Sequence, residues 1–358
     1  MRVRYDVLEK YTDSDPLRLE FEKVTTDLSK IDIEHGVDVI LNYYRKYGFL
    51  DYKIRQDEKY QQIRNIIKFD VNNILVDKKI EQTMHGLRLC WTYFPHFWEV
   101  KCGNAKFSPM DVFNDDDRFK STIRKCWKWC EKHQKGDDGI KLTENRLRQS
   151  LKIYSGTQSV SNFRPTAAKL IYEKYGGDVV WDMSSGWGGR LLGFLSASNT
   201  KQYIGTEPSS KTYDGLIQMG KDFSYLGKQV NIYKLGSEDY KPIKESFDLC
   251  FTSPPYFDTE KYSDEDTQSY KKFPTQDDWV NGFLRKTIEN CYVGLKDKRY
   301  MLMNIANTPK YKFIEEQTIK ISKECGFVLE DTLQLILSSI SGQGQKYEPI
   351  FVFRKESR

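Results

Sequence analysis

Phe247-Asp248-Leu249-Cys250-Phe251-Thr252-Ser253-Pro254-Pro255-Tyr256-Phe257 is the stretch from which the rest of the chain is read. Phe247 to Phe251 is a short apolar run, the pattern of a buried strand. It leads into a polar residue, two prolines and two aromatics. Consecutive prolines fix φ near about −65° and remove two N–H donors, so the chain leaves the strand in one stiff conformation. What remains on offer is acceptors: the Ser253 hydroxyl oxygen and backbone carbonyls, with aromatic faces beside them. That suits an amino group whose lone pair is conjugated into a heterocycle. If both of its N–H bonds donate to fixed acceptors, here the Ser253 side chain and the Pro254 carbonyl, the nitrogen pyramidalises and its lone pair localises. It can then attack an electrophilic methyl group with no strong base present. Tyr256 is placed to stack on a base flipped out of a duplex. The chemistry is positioning and electrostatics rather than covalent catalysis.

Upstream lies a second signal. Asp178-Val179-Val180-Trp181-Asp182 reads as a strand closing on an acid. Met183-Ser184-Ser185-Gly186-Trp187-Gly188-Gly189-Arg190 and an apolar helix from Leu191 to Ala197 follow. Strand, glycine-rich turn and helix make a nucleotide-binding layout. The glycines allow close backbone approach, and the helix N-terminus offers unpaired amides. A loop from Ser161 feeds another helix through Arg164-Pro165. The next strand, Tyr203 to Thr206, ends at Glu207. An acid about 20 residues past such a turn is placed to accept both ribose hydroxyls. A third strand, Asn231 to Leu235, closes on Gly236-Ser237-Glu238-Asp239, and the fourth delivers Ser253.

Thr252-Ser253-Pro254-Pro255-Tyr256 resembles the catalytic motif of the S-adenosylmethionine-dependent DNA amino-methyltransferases, and the resemblance covers residues 159–355. It implies a Rossmann-like seven-stranded methyltransferase sheet with Ser253, Pro254, Pro255 and Tyr256 as the catalytic residues. It implies S-adenosylmethionine as cofactor, bound by Asp182, Ser184, Gly186, Gly188 and Glu207, with Arg164 and Pro165. Glu238 or Asp239 would pair with the cofactor's adenine. The partner implied is double-stranded DNA with a flipped target base. The Ser-Pro-Pro-Tyr form is commoner among cytosine-N4 enzymes and Asp-Pro-Pro-Tyr among adenine-N6 enzymes. Cytosine N4 is therefore favoured, with adenine N6 the alternative. An RNA amino-methyltransferase and a catalytically silent nucleic-acid-binding subunit are the remaining readings. Where the family has Asp-Pro-Phe before its spaced glycines, this chain has Asp-Met-Ser-Ser-Gly-Trp-Gly-Gly, which leaves the single glycine roles open.

Beyond the motif, residues 258–278 are polar and dense in charge, the composition of a lid or substrate loop. A helix from Asp278 to Leu295, a strand from Tyr300 to Ile305 and a helix from Lys312 to Cys325 follow. Phe327 to Leu337 and Pro349 to Arg354 complete the α/β sheet as an antiparallel pair.

Residues 1–150 form a mainly helical domain and 151–358 the catalytic one. Val37 to Tyr44 opens a helix that stops at Gly48, and Tyr60 to Ile67 and Asn72 to Ile80 predict two more. Ser108-Pro109 predicts a capped helix start. The basic helix from Lys120 to Lys135, with Trp127 and Trp129 interleaved, is either a phosphate-facing surface or a solvated flank with two core tryptophans. Cys126, Cys130 and His133 share one face, and without Cys-x-x-Cys spacing they read as packing rather than zinc. No target-recognition insert fits between the glycine turn and Ser253, so this half is the candidate for DNA recognition by elimination.

The chain of 358 residues is mildly basic, at +5 from 56 basic and 51 acidic residues, which permits nucleic acid without requiring it. Its seven cysteines are irregularly spaced and no apolar run is long enough to span a membrane. With no signal-peptide core either, a cytoplasmic protein is expected, with homodimer formation left open.

Overall fold

The computed structural model describes residues 32–133, 135–136, 139–140, 142–257, 259, 261–337 and 346–356. They form two compact units, one from residues 32–55 and 95–160, the other from 56–94 and 161–356.

The first unit is built on helices. Ile33–Tyr47 starts at Asp32, whose carboxylate accepts from the Glu34 amide at 3.0 Å, and ends at Gly48 with φ +89°. Pro109–Asn114 opens with a capping box, Ser108 and Asp111 each accepting the other's amide. Asp116–His133 buries Phe119, Ile123 and Trp127 against Val37, Ile40 and Leu147. Its basic residues are tied to neighbours: Lys120 lies 2.8 Å from Asp38, Arg118 2.7 Å from Asp115, and Arg124 pairs with Glu34. Trp127 is in the core, whereas Trp129 is half-buried and stacks under the Arg146 guanidinium. Cys126 and Cys130 are buried, while His133 Nδ1 lies 2.9 Å from the Trp129 carbonyl. A short hairpin, β3 (Lys135–Gly136) and β4 (Gly139–Ile140), follows the helix.

The second unit is a Rossmann-like α/β sheet. Its strands are β1 (Leu75–Val76), β2 (Lys79–Ile80), β5 (Val179–Asp182), β6 (Gln202–Thr206), β7 (Gln229–Tyr233), β8 (Phe247–Thr252), β9 (Leu295–Asn304), β10 (Phe327–Ile336) and β11 (Tyr347–Lys355). The spatial order is β1-β2-β10-β11-β9-β8-β5-β6-β7. Strands β5 to β9 run parallel, and β11 is inserted antiparallel to both β9 and β10. These seven match the sequence expectation, and the register of β8 shifts between Phe247 and Leu249, which puts Phe247 on the same face as Cys250. Trp181, Phe247, Cys250 and Met301 face the helices Arg285–Gly294 and Ile314–Cys325, while Phe251 meets Phe163 and Tyr172 on the other side.

Two expectations are corrected. Asn72 to Ile80 is not a helix: a single 3₁₀ turn, Val71–Ile74, runs into the β1–β2 hairpin, whose turn residues Asp77 and Lys78 have φ of 47° and 66°. The boundary at residue 150 is also displaced. Residues 56–94 belong to the sheet unit, because β2 pairs with β10 and Phe94 fills the space left by Gly188 and Gly215. A Cβ on Gly215 would stand 2.5 Å from the Phe94 ring. No described helix is long and apolar enough to cross a membrane.

Candidate active site

Strand order reverses between β5 and β8: the chain proceeds from β5 through β6 to β7 on one side, and from β8 to β9 on the other. A crevice forms at the carboxyl ends of strands where the order reverses. Here it is a cavity of about 360 Å³ lined entirely by the sheet unit. Ser184, Gly186, Glu207, Glu238 and Arg164 line it, as do Ser253, Pro255 and Tyr256. The two signals read separately from the sequence therefore open on one space.

The glycine turn is held from beneath. Asp182 is fully buried, and its Oδ2 accepts from Arg190 Nε at 2.9 Å and from the Tyr203 hydroxyl at 2.7 Å. Arg190 also donates to the Ser184 carbonyl, so the ion pair clamps the turn. Gly186 has φ +55° and Gly188, which caps the helix Gly189–Ser196, has φ +73°. Asn162 fastens the turn to the preceding loop, accepting from the Gly189 amide and donating to the Trp187 carbonyl at 3.2 and 2.9 Å. Asp182 and Gly188 thus lie behind the cavity wall and act through the turn's shape.

Three charged groups face the cavity with capacity to spare. Glu207 Oε2 accepts from the Gly186 amide at 3.0 Å and Oε1 from Ser209 at 2.9 Å. Burial pushes its carboxyl up to about 7, against the pull of these two amides. Glu238 pairs through Oε1 with Lys272, while its buried Oε2 has no partner among the described residues. Asp239 also pairs with Lys272, at 2.6 Å, but stands outside the cavity. Of the two acids left open by the sequence, Glu238 is the one that reaches the space. Arg164 donates from Nε to Gln82 at 2.7 Å, and no described carboxylate pairs with its guanidinium. Pro165 is the first residue of the helix Pro165–Tyr175 and sets its direction without lining the cavity.

Residues 261–273 close over this side. Glu265 accepts from the Ser210 amide at 3.0 Å and from its hydroxyl at 2.6 Å, and Thr267 Oγ1 donates to the Pro208 carbonyl at 3.1 Å. With Lys272 these contacts tie the segment to the ends of β6 and β7. Tyr262 meets Trp187 edge-on at 5.2 Å. The expected lid is thus fastened on the Glu207–Glu238 side of the cavity.

The proline motif borders the same cavity. Ser253 and Pro255 line it; Pro254 is buried, and its carbonyl lies in the peptide that joins it to Pro255. Tyr256 is 8% exposed, and its hydroxyl stands 3.2 Å from both the Asn304 carbonyl and Glu348 Oε2. Phe257 turns the chain away with φ +56°. Glu348 lines the cavity and burial raises its carboxyl, with Tyr256 and Asn304 pulling the other way. Sequence reasoning missed Glu348, Asn304 and Gln268. A lone acid heading the apolar strand Ile350 to Phe353 was the available signal for the first.

No family model matches the sequence, and no curated protein matches it. Solved structures that share part of its shape include a SAM-dependent methyltransferase from Methanosarcina mazei, at 12% identity and TM-score 0.39, covering 52% of this chain and 98% of that one. The N-methyltransferase NodS from Bradyrhizobium japonicum is 12% identical over 54% of this chain and 94% of that one, with TM-score 0.38. Magnesium protoporphyrin IX methyltransferase from Synechocystis, solved with bound SAM, is 14% identical over 53% of this chain and 76% of that one, with TM-score 0.36.

Proposed function

We propose that this chain is an S-adenosylmethionine-dependent methyltransferase acting on the exocyclic amino group of a flipped DNA base, with cytosine N4 favoured over adenine N6. The observation that carries the reading is the shared cavity: Ser253, Pro255 and Tyr256 border the same space as Gly186, Glu207 and Glu238. The residues fit the cofactor. Glu238 Oε2 is a buried acceptor without a partner, Glu207 is a carboxylate next to the glycine turn, and Arg164 is a cation without a described counter-charge. Glu238 would receive the adenine amino group, Glu207 the ribose hydroxyls and Arg164 the amino-acid carboxylate. When bound, S-adenosylmethionine supplies an electrophilic methyl group on a sulfonium centre. The protein's own part is to hold the amine. The Ser253 hydroxyl oxygen and the Pro254 carbonyl accept its two N–H bonds and localise its lone pair, and the Tyr256 ring supports the base.

The test has two arms: calorimetry with S-adenosylmethionine, and mass spectrometry of nucleosides from DNA of cells expressing the chain. Binding together with N4-methylcytosine supports the full reading, and N6-methyladenine moves the target base. Absence of binding overturns the reading altogether. Recognition of the DNA sequence is assigned, by elimination, to the unit formed by residues 32–55 and 95–160.

Glu207 adds a pH dependence. Ribose hydroxyls donate to an ionised carboxylate, and burial pushes that carboxyl up to about 7. Binding therefore favours loss of its proton. Affinity should climb as pH rises from about 6 to about 8, by up to ~tenfold per unit on the acid side. Glu207→Gln should flatten the profile, and an unchanged slope in that variant would remove Glu207 from the cofactor's contacts.

A further inference from the structure

The segment 261–273 holds a second polar side chain that the fold leaves unanswered. Gln268 is 8% exposed and lines the cavity, and its buried Nε2 has no hydrogen-bond partner among the described residues. A buried amide donor without an acceptor is costly, and such groups are normally satisfied. One helical turn onward, Lys272 donates its backbone amide to the Gln268 carbonyl and pairs through its ammonium with Glu238 Oε1. That contact brings the Gln268 turn to the side chain whose other oxygen is also unpartnered and buried. Gln268 and Glu238 thus present to the cavity an unsatisfied donor and an unsatisfied acceptor, carried by two elements that Lys272 ties together.

A rigid heterocycle edge with an amino N–H beside a ring nitrogen would satisfy both at once. The 6-aminopurine edge has this pattern: the amino group donates to a carboxylate, and N1 accepts from an amide N–H. A 6-oxopurine carries the opposite pattern. We infer that Gln268, reaching in from the segment after the catalytic motif, reads N1 of the cofactor's adenine beside Glu238, and that this contact holds the segment closed. The inference rests on the S-adenosylmethionine reading and assigns it a residue that lies outside the glycine turn and the acidic strand ends. Adenine binding and closure of 261–273 then become one event. Glu265 and Thr267 fix the segment's base at Ser210 and Pro208, and Gln268 adds the contact that depends on the ligand.

The experiment compares S-adenosylhomocysteine with its 1-deazaadenosine analogue, by calorimetry, on the wild-type chain and on Gln268→Leu. Deletion of N1 should weaken binding to the wild type about three- to tenfold, the range for one hydrogen bond. Gln268→Leu should bind both compounds alike, at the weaker value. Amide hydrogen exchange across 261–273 should slow on addition of S-adenosylhomocysteine to the wild type and change little in Gln268→Leu. Equal binding of the two compounds by the wild type overturns the assignment whether or not the variant folds. So does discrimination that persists in Gln268→Leu, or protection of the segment that persists there. If the wild type binds neither compound, the cofactor reading itself fails and takes this inference with it. If it binds both without discrimination, only the role of Gln268 is lost.

Discussion

Ser253→Ala is expected to lower turnover by ~10²–10³, the usual cost of removing one preorganised hydrogen-bond partner from a reacting centre. Affinity for S-adenosylmethionine should barely move, because Ser253 is assigned to the amine and not to the cofactor contacts of Glu207, Glu238 and Arg164. The comparison with Tyr256 sharpens the result. Tyr256→Ala removes a ring that supports the base, a loss of ~1–3 kcal/mol. Much of that loss should lie in holding the flipped base, so DNA with a mismatch at the target should partly rescue Tyr256→Ala, since less unpairing is needed. Ser253→Ala should gain much less from the mismatch, because its missing acceptor acts after flipping. Single-turnover rates on matched and mismatched duplexes separate the two. Equal rescue would contradict the division of roles, and wild-type turnover in Ser253→Ala would take catalysis away from this motif.

The second large effect is on stability. Asp182 is fully buried and Arg190 nearly so, and each is the other's counter-charge at 2.9 Å. Asp182→Ala removes the carboxylate hydrogen-bonded to Arg190 and leaves the buried guanidinium beside the Ser184 carbonyl and aromatic rings. Breaking a buried pair in this way costs about 3–5 kcal/mol, a large part of an ordinary domain's margin. The urea midpoint should fall accordingly. The double variant Asp182→Ala with Arg190→Met should be less destabilised than the sum of the two single changes, since no orphan charge remains. A midpoint for Asp182→Ala close to that of the wild type would show that the clamp under the glycine turn is not structural.

What was legible in the sequence was local. The turn from Met183 to Arg190, the acids ending each strand and the two prolines after Thr252 announce themselves within a few residues, and the structure brings most of them to one cavity. What was illegible depended on distant register. Glu348 reaches the site because Ile350 pairs with Asn304, which carries the head of β11 past the end of β9. No local pattern encodes that offset. Gln268 lies in a segment without period, and its meaning appears only when Lys272 meets Glu238. The hairpin at Leu75 to Ile80 was misread because its turn residues, Asp77 and Lys78, adopt positive φ without a glycine to announce it. The acid pair Glu238 and Asp239 was separable only by which side chain points inward.

The edge hairpin also bears on how the protein is made. Lys78 and Asp331 meet at 2.6 Å across 253 positions of chain, and the β1–β2 hairpin joins the other described strands of its sheet through β10. At ~5–20 residues per second, a ribosome needs roughly 13–50 s to cover that distance. Once Val160 has been made, the helix-built unit is fully synthesised, with the stretch from Gln56 to Phe94 lying between its two segments in the chain. Ile80, buried in the finished fold, lacks its Leu335 neighbour meanwhile. Nascent chains stalled before residue 327 should therefore leave the β1–β2 hairpin open to proteolysis, a sensitivity that disappears once the last two strands emerge.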